Sequence, residues 1–536
     1  MKLKILLSAF ALSLCTSLHG VELQKDSLLS DFDTLVKVIK DTHPDPYSNY
    51  GGRVFFYKKA ADFRNNLLKD SGLNVGGLYE RAAEFMSLLQ DGHSFISPPM
   101  ETQSGFGADS LLLVKFMYAD GSLVVNAIDS VSCHLLGSRL IAINGIPVKE
   151  ITDRVARYYP CENQAGRYGI LSDYFRTLNI YRKLVEDKSA RLIFDLVTPE
   201  GDSVSYSPVV INTRDFSKFP KARVPESDRF PSHQMEWRDV DGTMFFRLST
   251  VMSRENFEFQ YNNGWDFYDQ LKGYYRMTGN EMPLDTLAAI KAVPSMSESF
   301  LDMLSDMKSK GIKKLVIDLR GNGGGWTPVT LPTLYMMYGD DYLETDMSSS
   351  FYRRVSDFYL KKINSSIEDF NRNNGTDLSV GDYLIPFEGE DNRSISQKRD
   401  DFLNQAFCTD RVKEELGKLK GEPVYRPENV YVVTDNSTFS AAFHYAFYLS
   451  KMGAIVAGET SSQAPNCYME VTPFTLPYSG LTGSVSNSMQ VFLPANDQKS
   501  KEFTPAVRLT YDDYRRYNFD RNSILLHLLQ VCRDNP

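Results

Sequence analysis

Lys314-Leu-Val-Ile-Asp-Leu-Arg-Gly-Asn-Gly-Gly-Gly325 decides the fold of this chain, because it joins an unbroken apolar run to a glycine-rich loop. A second apolar run, Val430-Tyr-Val-Val-Thr434, is followed by a helical pattern that begins at Ser440 and extends to about Lys451. Ala454-Ile-Val-Ala-Gly458 is the next apolar run. Unbroken apolar strands that alternate with helices are typical of a mostly parallel sheet covered on both faces. We therefore predict an α/β core.

Ser440 marks the junction between the second strand and its helix. A serine at the start of a helix holds its hydroxyl at the positive end of the helix dipole, beside main-chain N–H groups without a helical partner. Helix capping is the alternative role, and Ser437 or Thr438 could cap equally well. Ser440 is therefore a candidate nucleophile, with N–H groups nearby that would stabilise an oxyanion.

The glycine loop at 321–325 allows two interpretations. It fits neither GxxxxGK[ST] nor a GxGxxG that opens a helix, so phosphate binding is not indicated. Glycine has no Cβ and permits unusual torsion angles, which lets N–H groups approach a ligand closely. The loop is thus either part of an oxyanion hole or a tight turn without a chemical role.

The chain from about Asp26 to Leu89 carries a helical pattern, with apolar residues recurring at three- and four-residue spacings. The pattern ends in Asp91-Gly92-His93-Ser94, and glycine after the last apolar turn is the usual helix stop. His93 therefore lies where a helix ends and a connection begins, a position that presents its side chain.

Residues 105–213 form short β-runs instead. Within them Leu135 to Val148 resembles the PDZ segment in which a glycine turn leads into a strand and an Asn144-Gly145 hairpin returns the chain. No obvious glycine-rich carboxylate-binding loop precedes the first strand. The region is predicted either to capture peptide tails or to serve as a spacer or gate, and to influence substrate access rather than chemistry.

The length of 536 residues favours two to four domains. We predict a multidomain α/β protein with a signal peptide at 1–20, an N-terminal helical region at 21–100, a PDZ-like β-rich domain at 101–215 and an α/β core at 216–536 with an insertion around 338–427.

The first twenty residues predict export. Lys2 and Lys4 precede a short apolar run, Ile5 to Leu14, that gives way to small and polar residues. This run is too short to span a bilayer, and no later segment is long and apolar enough. We expect a periplasmic or cell-envelope protein cleaved near Ser17 or Gly20, with Cys15 as a candidate for lipid attachment.

Composition argues against several classes of function. The net charge of -9 and the lack of a Lys/Arg-rich stripe give no reason to expect nucleic-acid binding. The cysteines are widely spaced and form no CxxC pair, so no metal-ligand cluster is indicated.

Two segments resemble motifs of the C-terminal processing, or tail-specific, protease family. Lys314 to Gly325 resembles its strand-loop motif, and Asn436 to Ala442 resembles its nucleophile motif. The resemblance implies a catalytic core of the ClpP/crotonase-like type, with Ser440 as nucleophile. It also implies an oxyanion hole made by the main chain of Gly323, Gly324 and Ala441.

The chain differs from many members of this family in the residue that would act as catalytic base. Many members use a lysine shortly after the strand that ends here at Gly458, whereas no Lys or Arg occurs from Met452 to Gln498. Leu88 to Ser94 resembles the Asp-Gly-His-Ser/Thr element of a Ser-His branch, similar to tricorn protease and interphotoreceptor retinoid-binding protein modules. That branch implies His93 as base, with His444 as the alternative base in this chain. It also implies Glu502 as the orienting acid, with Glu459 and Glu470 as alternatives.

The sequence thus predicts an exported serine endopeptidase that cleaves polypeptides through an acyl-enzyme, without cofactor or metal. A non-catalytic protein that binds peptides or apolar ligands on the same fold is the alternative. Retention of Ser440, His93 and the glycine loop together favours the enzyme.

Overall fold

The computed structural model describes residues 24–98, 110–187, 191–385 and 391–534. The predicted signal peptide and Cys15 lie outside these residues. Within them the chain is a mixed α/β structure with several sheets, as predicted. None of the helices in these ranges is long and apolar enough to cross a membrane.

The N-terminal part is helical and ends in a short strand that carries the chain into a sheet. Apolar residues along the first helix, such as Leu28, Phe32 and Leu35, are buried and pack against the next two helices. The strand pairs antiparallel with a strand near residue 484. The elements are α1 (Lys25–Thr42), α2 (Arg53–Lys69), α3 (Val75–Ser87) and β1 (Phe95–Ile96).

The middle part is rich in β-structure. A seven-stranded sheet with the order β10-β4-β5-β7-β8 also pairs β3 with β4 and β6 with β5, and β2 pairs separately with β9. The elements are β2 (Ser110–Leu112), β3 (Val114–Ala119), β4 (Ser122–Asp129), β5 (Arg139–Ile143), β6 (Ile146–Pro147), α4 (Val148–Val155), α5 (Gln164–Gly169), α6 (Leu178–Leu184), β7 (Phe194–Val197), β8 (Ser203–Tyr206), β9 (Val210–Asn212) and β10 (Lys221–Arg223).

A six-stranded sheet with the order β11-β12-β13-β16-β17-β20 forms the core. All neighbours except β11 and β12 pair in parallel, as the unbroken apolar runs predict. The strands are β11 (Trp237–Val240), β12 (Thr243–Arg247), β13 (Lys314–Asp318), β16 (Asn429–Thr434), β17 (Ile455–Gly458) and β20 (Val507–Arg508).

The described chain from residue 254 onward also forms helices. They are α7 (Arg254–Asn262), α8 (Tyr268–Thr278), α9 (Thr286–Ala292), α10 (Met296–Lys310), α11 (Leu331–Tyr338), α12 (Asp340–Glu344), α13 (Asp357–Lys362), α14 (Ile367–Asn374), α15 (Ile395–Gln405), α16 (Asp410–Leu419), α17 (Ala441–Lys451), α18 (Tyr511–Arg516) and α19 (Ile524–Asp534).

A separate antiparallel sheet brings distant parts of the chain together. β19 pairs with β18, with β14 from the predicted insertion, and with β1 from the N-terminal part. Its strands besides β1 are β14 (Ser350–Arg354), β15 (Tyr383–Leu384), β18 (Cys467–Thr475) and β19 (Thr482–Val491).

Candidate active site

Two loops meet where the neighbouring parallel strands β13 and β16 end. The Phe439 N–H donates to the Asn322 carbonyl oxygen at 3.0 Å. The Gly321 N–H donates to both carboxylate oxygens of Asp435 at 2.9 Å. Since parallel strands end at the same edge of a sheet, the glycine loop and the loop before α17 form one site.

Ser440 begins α17 in a strained conformation. Its φ is 53° and its ψ is -126°, a combination that residues with a Cβ adopt at a cost. Its N–H donates to Gln463 Oε1 at 2.6 Å, and its side chain makes no capping hydrogen bond to the helix. The capping alternative therefore does not describe this hydroxyl, which remains available for other contacts.

His93 contacts Ser440 directly. Its Nε2 lies 3.1 Å from Ser440 Oγ. The turn that carries His93 is held by buried Asp91, whose carboxylate accepts from the His93 N–H at 2.9 Å and from the Ser94 hydroxyl. His43 Nε2 lies 3.4 Å from the same carboxylate. Burial raises the pKa of Asp91, but His43 and the other neighbours outweigh it and lower the pKa to about 2.

Gly92 lets the histidine turn approach the nucleophile loop. The rings of His93 and Phe439 pack with centroids 4.5 Å apart. A Cβ at Gly92 would lie 2.7 Å from the Phe439 ring, closer than side chains allow. The glycine therefore has a packing role besides ending the helix.

Burial lowers the pKa of His93 below its ordinary value, although Asp91 and the main-chain carbonyl of Tyr468 act in the opposite direction. An imidazole with a lowered pKa is neutral at neutral pH. The ring is therefore able to accept a proton from Ser440.

Two of the three predicted oxyanion donors are free. In the described chain neither the Gly323 N–H nor the Ala441 N–H has an acceptor, whereas the Gly324 N–H donates to Asn322 Oδ1 at 2.9 Å. Gly324 acts through close packing instead, because a Cβ there would lie 2.7 Å from the Ser440 Cβ. The N–H groups available to donate to an oxyanion are thus those of Gly323 and Ala441.

The structure does not bring Glu502 to the imidazole. Glu502 is exposed in the loop before β20, and it forms no ion pair with His93. Glu162 Oε1 lies 4.0 Å from His93 Nδ1 instead. The local sequence similarity around Glu502 could not predict where its loop lies, because the position of a loop depends on how the whole chain packs.

The alternative acids and the alternative base have other surroundings. Glu459 accepts from the Asp120 N–H at 3.0 Å, and Glu470 pairs with Arg353. His444 is buried in α17, with Nδ1 3.4 Å from Thr327 Oγ1, and burial lowers its pKa to about 3. His93 is therefore the histidine placed to act on Ser440.

No sequence pattern indicated Glu162 as a site residue. It lies between α4 and α5 in the middle part of the chain, more than sixty residues from His93, in no motif that we singled out. The only local signal was a carboxylate in a connection between two helices, which is common in proteins.

Asp91, His93 and Glu162 place possible metal-binding atoms within 4.8 Å of one another. Asp91 already accepts hydrogen bonds from the main chain of His93 and from Ser94. His93 Nε2 contacts Ser440 and Glu162 Oε2 accepts from the Ala464 N–H, so these three side chains belong to the serine–histidine site.

A known protein family matches the part of the chain that carries the glycine loop and Ser440. Residues 273–485 match the model of Peptidase family S41, a range that includes the glycine loop and Ser440 but neither His93 nor Glu162. No curated protein sequence matches the chain.

Solved structures share the fold. Mature CPAF complexed with lactacystin aligns with a TM-score of 0.56 at 15% identity, over 95% of this chain and 98% of that chain. Mature CPAF aligns with a TM-score of 0.56 at 15% identity, over 96% and 99%. The photosystem II D1 C-terminal processing protease aligns with a TM-score of 0.39 at 13% identity, over 91% of this chain and 94% of that chain.

The matched range, residues 273–485, is a Peptidase family S41 domain, and this match indicates a serine-type peptidase. The predicted resemblance to the tail-specific protease family is confirmed.

Proposed function

We propose that this protein is an exported endopeptidase that cleaves polypeptides through an acyl-enzyme on Ser440, with His93 as base. The observation that carries the proposal is the 3.1 Å contact between His93 Nε2 and Ser440 Oγ at the start of a helix. A nucleophile within hydrogen-bond reach of its base is the geometry that this chemistry needs.

In the proposed reaction Ser440 Oγ attacks the peptide carbonyl carbon while its proton passes to His93 Nε2. The oxyanion accepts from the N–H groups of Gly323 and Ala441. His93 then gives the proton to the leaving amine, and the acyl group remains on Ser440 as an ester. Water attacks this ester, with His93 again taking and returning the proton.

The finer architecture and the location are also proposals. We propose that the middle region, at 101–215, is a PDZ-like domain, and that the region at 216–536 is a core of the ClpP/crotonase-like type. The lysines and the short apolar run within residues 1–20 support the proposal of export to the periplasm or cell envelope. Cell fractionation and the N-terminal sequence of the mature protein test export, and a mature chain that begins with lipid-modified Cys15 would indicate a lipoprotein.

A labelled fluorophosphonate tests the chemistry. The wild-type protein is expected to be labelled on Ser440, and His93→Ala to lower both labelling and peptide hydrolysis by at least about 10³-fold, as Ser440→Ala does for hydrolysis. A chelator is expected to leave both rates unchanged, since acyl transfer of this kind uses no metal.

The alternative, a binding protein on the same fold, predicts a different result. A folded wild-type protein that is neither labelled nor hydrolytic, yet binds peptides, would favour it. Folded His93→Ala that keeps near-normal turnover would instead overturn the role of His93.

A further inference from the structure

Glu162 is a buried carboxyl group that faces the proposed base. Its side chain is 5% exposed, and its Oε1 lies 4.0 Å from His93 Nδ1. Both atoms are buried and, within the described chain, have no hydrogen-bond partner. The other oxygen, Oε2, accepts from the Ala464 N–H at 3.0 Å. One oxygen is therefore anchored to the core, and the other is directed at the imidazole.

The chemistry of His93 requires an acceptor on this side of the ring. Nε2 can take the Ser440 proton only if it is unprotonated, so the neutral ring must carry its proton on Nδ1. A gap of 4.0 Å is longer than a hydrogen bond, but catalytic contacts often tighten only when substrate is bound. The main-chain carbonyl of Tyr468, which raises the His93 pKa, is the competing acceptor.

Asp91, His444 and Cys467, three ionisable groups around this pair, each keep one charge state at neutral pH. Asp91 beside His93 has a pKa lowered to about 2, and His444 in α17 has a pKa lowered to about 3. Burial raises the pKa of the Cys467 thiol in β18 well above its usual value. His43 Nε2 lies beside Asp91 Oδ2, whereas the His93 N–H donates to Asp91 Oδ1.

We propose that Glu162 is the positioning residue for His93, and that its ionised carboxylate accepts the Nδ1–H and so selects the tautomer that can take the Ser440 proton. The proposal rests on the Ser440–His93 mechanism above. During acyl transfer the Oγ proton moves to Nε2, Nδ1 keeps its own proton, and the imidazolium pairs with the carboxylate.

Protonation of Glu162 reverses this arrangement. A neutral carboxyl group donates its proton toward Nδ1, which leaves the ring proton on Nε2 and blocks transfer from Ser440. Burial raises the pKa of Glu162 well above its usual range, and Asp91 raises it further, although the N–H groups of Ala464 and Gly92 lower it. The pair therefore titrates as a unit, and activity rises with pH through a midpoint that belongs to both groups.

Glu162→Gln in the full chain tests the proposal, because glutamine has nearly the same shape and keeps an acceptor for Ala464. Fluorophosphonate labelling on the alkaline plateau is expected to fall at least about 10-fold. The acid midpoint is expected to move to lower pH, because loss of a neighbouring negative charge lowers the pKa of His93. Loss of packing alone would leave that midpoint in place.

Glu459→Gln is the matched control, since Glu459 is also buried and also accepts from one main-chain N–H. Its labelling rate and midpoint are expected to equal those of the wild type. A wild-type rate and midpoint in Glu162→Gln would overturn the proposal and favour the Tyr468 carbonyl as acceptor. Absence of labelling in the wild type would instead be a failure of the Ser440–His93 mechanism.

The tautomer of His93 provides a second test that needs no altered Glu162. Nitrogen-15 NMR of histidine-labelled wild-type protein, assigned with His93→Ala, distinguishes a proton on Nδ1 from one on Nε2. A proton on Nδ1 above the acid midpoint that shifts to Nε2 below it supports the proposal. A proton on Nε2 throughout overturns it.

Discussion

At the scale of the residue, Ser440 holds a conformation that the rest of the site imposes. The Ser440 N–H donates to Gln463 Oε1 at 2.6 Å. Gly324 packs so closely that a Cβ added there would collide with the Ser440 side chain. The φ of 53° with ψ of -126° costs about 1–3 kcal/mol for a residue with a Cβ. This strained turn places Oγ 3.1 Å from His93 Nε2, so the strain lies at the residue that we propose as nucleophile.

Replacing Ser440 with glycine is expected to remove that strain. Ser440→Gly should have a free energy of unfolding about 1–2 kcal/mol higher than Ser440→Ala, measured by denaturant unfolding. Ser437, three residues earlier and without a positive φ, is the control. There glycine should be less stable than alanine by about 0.4–1 kcal/mol, because it adds freedom only to the unfolded chain. Equal stabilities at Ser440 would contradict the argument.

At the scale of the element, the middle part of the chain helps to build the candidate active site. Asn436 Nδ2 donates to Ser172 Oγ at 3.0 Å, and Ser437 Oγ donates to Asp173 Oδ2 at 3.2 Å. Glu162 reaches His93 from the same part of the chain. This part of the chain therefore supports the loop before Ser440, while its influence on substrate access rather than chemistry stays a prediction.

Substitution of Asp173 tests whether the middle part of the chain supports the loop before Ser440. Its carboxylate pairs with Arg521 at 3.2 Å, and Arg521 also pairs with Asp435 at 2.8 Å. Asp173→Ala is expected to cost about 3 kcal/mol of unfolding free energy, since it leaves a largely buried arginine with one partner. It should also slow fluorophosphonate labelling, because the nucleophile loop loses an anchor.

Asp153→Ala is the control for this prediction. Asp153 also pairs with an arginine in the middle part, but its side chain is 44% exposed. Its loss is expected to cost less than about 1 kcal/mol and to leave labelling unchanged. Normal stability and labelling in Asp173→Ala would show that the loop holds itself in place.

At the scale of the whole molecule, the site lies where three parts of the chain meet. His93 lies on the turn before β1, and β1 pairs with β19. Glu162 belongs to the middle part of the chain and Ser440 to the core, and both lie beside His93. Glu459 at the end of β17 links the core to Asp120 between β3 and β4. Burial raises the pKa of Glu459 to about 8.

This raised pKa predicts how stability changes with pH. The folded protein holds a proton on Glu459 more tightly than the unfolded chain, where the pKa is about 4.3. The contribution to stability is therefore complete at pH values below the unfolded pKa and is lost as pH rises through about 8. Glu459→Gln cannot ionise and is expected to have a flatter dependence of Tm on pH over this interval. Parallel curves for the two proteins would contradict the assignment.

The sequence by itself determined the parallel core, the candidate nucleophile and the candidate base. Each depends on local order: apolar runs specify buried strands, and a serine or histidine at the end of an element is presented by that element. Ser440 and His93 could therefore be named, together with the glycine loop, before their contact was known.

Only the tertiary structure decided which carboxyl group faces the base. Glu502 carried a local resemblance, yet its loop leaves it exposed, whereas Glu162 carried none and lies 4.0 Å from His93. The structure also decided that Gly324 packs against Ser440 while the Gly323 N–H stays free. Spacing along a strand or helix is set by local geometry, but contacts between distant segments depend on how whole elements pack, which no short motif encodes.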